Sequence, residues 1–209
     1  INAVSGQGIS FSGSNSLLAI KDGSRVSSQT GVNDSIILLG TEPTLDISGE
    51  NTKVDVSSNA NSSSQHAASI FMGNRSNNSS SNARVLVQDG AELNVLAGDN
   101  SPAVGLRSMG GQFVVKENAK VNLKNGNASS AYEAAAATLR FIQAGSYSFL
   151  IDNAEMNITK DGGRAPGVRM HGSNNSITVR NKGIIKIDNP GNGSANNGGT
   201  ALGNQAIHY

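Results

Sequence analysis

The chain has no cysteine and no tryptophan, and only four of its 209 residues are proline. Without cysteine, neither a disulfide framework nor a thiolate metal site can form. Aromatic residues make up only 4%, so the core cannot rest on large rings and few platforms exist for stacking bases. Charge is scarce at 15% and nearly balanced, 16 basic residues against 15 acidic, which leaves no whole-molecule field to attract a nucleic acid. No apolar run approaches the length of a membrane span, and no signal-peptide pattern opens the chain. The sequence therefore reads as a mature domain excised from a longer exported protein.

What is present is Ser (29), Asn (26) and Gly (25), a bias that suggests a linker unless apolar residues are regularly placed. They are. One motif recurs as IILL (36–39), SIFM (69–72), AVGL (103–106), TLRF (138–141), GVRM (167–170) and AIHY (206–209). Aligned on Ile37, Ile70, Val104, Leu139, Val168 and Ile207, the copies lie 29 to 39 residues apart. A second motif follows (LDI, VLV, FVV, FLI, ITV), then a third (VDV, LNV, VNL, MNI, IKI). GISFSG, LLAI and Val26 form an earlier, less regular copy.

In each motif the apolar residues are two apart, the period of a strand with one buried face. Three short strands per repeat with no helical period between them describe one coil of a solenoid, which buries its apolar residues only against its neighbours. The expected fold is all-β: a right-handed parallel β-helix with three short strands per coil and six to seven coils, forming a single domain over 1–209. A β-propeller fits less well, because blades need four strands and longer repeats. The last motif would open a seventh coil, with further coils or a cap beyond it. Asp22, Asp89, Glu117 and Asp152 recur at the turn between second and third strands, where Asp stabilises tight turns. Ala131 to Ala137 suit a helical turn within a loop.

Chemistry concentrates on the outward positions of the first strands. One column reads Leu38, Phe71, Gly105, Arg140, Arg169, His208, and its neighbour reads Gly40, Gly73, Arg107, Ile142, His171. Parallel stacking sets such residues about 4.8 Å apart. Like charges that close repel, so Arg107, Arg140, Arg169, His171 and His208 form a cationic stripe suited to an anion. The plainer alternative is a solvated face whose long side chains pair with loop carboxylates. No Asp or Glu lies in the first-strand motifs, so neither an acid–base pair nor a calcium site is expected there. Three scattered histidines lack a third zinc ligand, and the serine runs lack a His–Asp pair for nucleophilic catalysis. Tyr132, in an Ala-rich loop, could stack on a sugar ring. Asn94, Asn122 and Asn157 share one outward position and suit an amide ladder along the stack.

Through units of the type FVVKENAKVNLKNGN and FLIDNAEMNITKDG, the chain resembles the pectate lyase-like adhesive domains of Gram-positive surface proteins. It is similar in particular to the β-solenoid binding regions of serine-rich-repeat adhesins of lactic acid bacteria. The resemblance implies a right-handed parallel β-helix, export, cell-wall attachment through regions outside this chain, and binding of host or biofilm glycans, among them acidic pectin-type uronans. Pectate lyases of this fold carry calcium-binding Asp residues beside a catalytic Arg. Here the arginines are present and those carboxylates are missing. The expected function is thus a non-enzymatic, monomeric cell-surface adhesin without cofactor or metal, inserting in no membrane and binding no nucleic acid. Its expected ligand site is Arg107, Arg140, Arg169, His171, His208 and Tyr132. A polysaccharide lyase or hydrolase and a self-associating scaffold are the rival readings.

Overall fold

The computed structural model describes residues 2–3, 7–31, 34–59, 68–73, 82–108, 110–128, 137–142, 145–163, 166–188 and 200–202. The chain winds through three sheets in a fixed order. The first full coil is β2 (Ile9–Ser12), β3 (Leu17–Lys21) and β4 (Arg25–Thr30), preceded by β1 (Asn2–Ala3). The second is β5 (Ile36–Leu39), β6 (Thr44–Ser48) and β7 (Lys53–Ser58). The third is β8 (Ile70–Gly73), β9 (Arg84–Gln88) and β10 (Glu92–Ala97). The fourth is β11 (Val104–Arg107), β12 (Gly110–Lys116) and β13 (Lys120–Ala128). The fifth is β14 (Leu139–Ile142), β15 (Ser146–Asp152) and β16 (Glu155–Gly163). The sixth is β17 (Val168–Met170), β18 (Ser176–Arg180) and β19 (Ile184–Asp188), followed by β20 (Thr200–Leu202).

Each strand pairs in parallel with its counterpart in the next coil, giving sheets β2-β5-β8-β11-β14-β17-β20, β3-β6-β9-β12-β15-β18 and β1-β4-β7-β10-β13-β16-β19. This is the parallel β-helix of three strands per coil that the repeats predict, with six full coils. The one departure is β20, which runs antiparallel to β17.

The core is a set of columns parallel to the axis. Ile36, Ile70, Val104, Leu139 and Val168 stack in register, and each is buried. In the second sheet, Leu45, Val85, Phe113 and Phe149 do the same, with the two phenylalanine rings edge to face at 5.9 Å. Burying such a side chain is worth about 1.5–3 kcal/mol. Alternation makes the columns possible, because residues two apart on every strand face the same interior.

The register corrects one expected alignment. Ile36, and not Ile37, pairs with Ile70, so Ile37 pairs with Phe71 and Leu39 with Gly73. IILL is apolar at four successive positions and carries no alternation to choose a face, because both faces of β5 are covered: Ile36, Ile37 and Leu38 are all buried.

The turn between second and third strands uses left-handed backbone in pairs: Asp22–Gly23, Asp89–Gly90, Glu117–Asn118 and Asn181–Lys182. This conformation explains the recurrence of Asp, Asn and Gly there. Asp152 departs from the expected pattern, since it ends β15 and Asn153 takes the left-handed position. Outside the third sheet, Asn122 Nδ2 donates to Asn94 Oδ1 (2.7 Å) and Asn157 Nδ2 to Asn122 Oδ1 (2.9 Å). Asn94 in turn donates to Asp55 (2.8 Å), which completes the amide ladder with an acidic end. Of the expected helical turn at Ala131 to Ala137, all but Ala137 lies outside the described residues.

Two stability outcomes follow from these columns. Leu139→Asp places a charge in a fully buried column and should cost more than about 4 kcal/mol, read as loss of the cooperative denaturant transition. Asn122→Ala removes two ladder bonds and should lower stability by about 1–2 kcal/mol with the same cooperativity.

Candidate functional site

With the register in hand, the outer face of the first sheet divides in two. One column reads Ser10, Ile37, Phe71, Gly105, Arg140, Arg169, and its neighbour reads Ser12, Leu39, Gly73, Arg107, Ile142. Ile37, Phe71, Ile142 and Ala68 form a second hydrophobic cluster outside the coil, with Leu39 packed on it. Gly105 lets that cluster close: a Cβ there would lie 3.2 Å from Ala68 Cβ and 3.4 Å from Ile142 Cδ1. Beyond Gly105 the face turns cationic.

Arg140 and Arg169 oppose each other directly on adjacent strands, and Arg107 lies one coil back in the next column. All three are partly buried. Desolvation, and then the like charges of Arg169 and Arg107, push the Arg140 guanidinium down to about 10. Burial also lowers Arg169. Both effects penalise the charged form, so an anion seated on these groups would relieve a cost already present in the fold.

Beneath them Tyr147 holds the corner, its hydroxyl shared between the carbonyls of Ser108 and Ile142 (2.6 Å to Ile142). Burial is the main cause that pushes this phenol up to about 12. Arg140 and Arg169, in register on adjacent strands, each carry a planar fork of donors able to bond a carboxylate in bidentate fashion.

Of the six expected site residues, the structure brings Arg107, Arg140 and Arg169 together. His171 follows β17 directly and is exposed. Tyr132 and His208 lie outside the described residues. On the far side of β17, Ala201 of the antiparallel β20 pairs with Arg169.

Comparison with known proteins finds no match: no family model, no curated protein and no solved structure matches this chain.

One further ionisable group escaped the outward-column reading. Lys160 points inward from the end of β16, pairs in register with buried Asn125, and is 1% exposed. Its Nζ donates to the Gly126 carbonyl (3.3 Å). Alternation through MNITK already puts it inside; its charge disguised that. Burial pushes the amine down to about 8 against an opposing pull from Asp99 and Asp161, the latter bridged to Lys124 at 2.9 Å.

The folded amine thus releases its proton more readily than the unfolded one. The penalty on folding is full below about pH 8 and fades as pH rises toward 10.5. The gap corresponds to about 3 kcal/mol at most. Denaturant midpoints should therefore rise across that window, and Lys160→Met should raise the midpoint at pH 7 and remove the rise.

Proposed function

We propose that this domain is a non-enzymatic adhesin module that binds acidic polysaccharide, such as a pectin-type uronan, at a bacterial cell surface. The observation that carries the reading is the pair Arg140–Arg169, opposed in register and partly buried, with Arg107 beside it. Successive uronate carboxylates would take successive guanidinium forks, and the partial burial strengthens each charge-assisted bond. The resemblance to β-solenoid adhesins of Gram-positive bacteria supports the same ligand class and an extracellular location.

The first-strand motifs carry these arginines without the Asp residues that hold calcium beside the catalytic Arg in lyases of this fold, which supports binding over elimination.

Calorimetric titration with polygalacturonate checks this reading. Arg140→Ala combined with Arg169→Ala should weaken binding at least tenfold, and raising salt should weaken wild-type binding. Release of unsaturated uronides, lost in the arginine variants, would overturn the binding-only reading in favour of a lyase.

A further inference from the structure

The second sheet carries a different surface. Four outward columns run along it, parallel to the solenoid axis, the one farthest from the first sheet carrying Lys116, Asp152 and Arg180. The first reads Asn82, Gly110, Ser146, Asn174, the second Arg84, Gln112, Ser148, Ser176, and the third Leu86, Val114, Leu150. Between the first two columns lies a groove of about 340 Å³. Gly110 opens it by leaving out one side chain; a Cβ there would come 2.8 Å from Asn82 Oδ1. Gly111, on the inner side, lets β12 lie tight on the Tyr147 ring, where a Cβ would be 3.0 Å from Cδ1. The aliphatic residues of the third column are half-buried although they point away from the core.

This surface is amphipathic across its width and repetitive along its length. Amides and hydroxyls fill the polar columns, and each such group both donates and accepts, as a sugar hydroxyl does. The only charge within the groove is Arg84. The neighbouring column is aliphatic over three coils, Leu86, Val114 and Leu150, between Asp46 and Thr178. A saccharide chain has this division, with C–H faces on its rings and hydroxyls at its edges. A peptide strand suits the surface poorly: the β12 and β15 backbones are already bonded on both sides, so no free sheet edge exists for strand addition there.

We propose that this groove and the aliphatic column beside it together form a second glycan subsite, taking an extended, uncharged stretch of polysaccharide laid along the solenoid axis. Ring faces pack on Leu86, Val114 and Leu150, and hydroxyls bond Gln112, Ser148 and Ser176. Only Ser108 and residue 109 separate Arg107 at the end of β11 from Gly110 at the start of β12. The groove and the cationic face therefore adjoin across one corner of the coil. The proposal extends the carbohydrate-binding reading and rests on it for ligand class. It adds that neutral and charged segments of glycan are held on separate sheets.

Hexamers of β-1,4-linked glucose, galactose and mannose, titrated separately from polygalacturonate, test the proposal. At least one should bind, with amide shifts in nuclear magnetic resonance centred on Gln112, Val114, Ser148 and Ser176. Gln112→Ala combined with Ser148→Ala, both on the outer face, should weaken that binding at least tenfold and leave polygalacturonate affinity unchanged. Val114→Asp should do the same, and circular dichroism checks its fold. Arg140→Ala with Arg169→Ala should show the reverse pattern. The proposal is overturned if none of the three hexamers binds. It also falls if hexamer binding follows the arginine variants and ignores the groove variants. A concentration-dependent dimer in sedimentation, abolished by Val114→Asp, would assign the stripe to a second copy of the chain and overturn it too. Loss of polygalacturonate binding alone would sink the cationic-face reading and leave the groove to be judged by the hexamers.

Discussion

The structure depends on one contact repeated: an aliphatic side chain stacked on its counterpart in the next coil, at the strand repeat of about 4.8 Å. Ile70 and Leu139 each stack on counterparts in the coils above and below along the axis. Stability is thus a sum of nearest-neighbour interfaces. The same constraint explains how the columns keep their register although the Ser- and Asn-rich segments between coils differ in length.

Stacking that organises the interior also organises the exterior, with consequences that differ by residue type. Amides stack productively: the ladder from Asp55 through Asn94 and Asn122 to Asn157 satisfies each group with the one before it. Aliphatics stack into a second cluster at Ile37, Phe71 and Ile142, or into the stripe Leu86–Val114–Leu150. Arginines in register behave differently: Arg140 is depressed first by burial and then by its like-charged neighbours Arg169 and Arg107. Taken with the polar groove around the corner, this cationic face makes the solenoid a multi-faced surface whose sheets are chemically distinct.

The alternation of apolar residues was sufficient to predict three strands per coil and the inner columns, because a one-residue slip would expose every core side chain. It also located the amide ladder and the cluster Arg107, Arg140, Arg169, since those residues lie at fixed offsets from unambiguous anchors. Where alternation fails, the sequence was silent or misleading. IILL could not reveal its register, as outer packing on Phe71 and Ile142 supplies a second buried face that no local pattern encodes. Lys160 was legible by position yet hidden by its charge, which only burial beside Asn125 turns into a depressed amine.

The sequence by itself therefore determined the coil, its period and its buried columns, because these follow from a periodicity of two and from turns that require left-handed backbone. The tertiary structure alone decided how deeply Arg140 is buried, where the Gly110 groove opens, and that β20 turns back to meet Arg169 with Ala201. These features arise between coils far apart in the chain, where desolvation, close approach and strand direction are set by neighbours that no local pattern names.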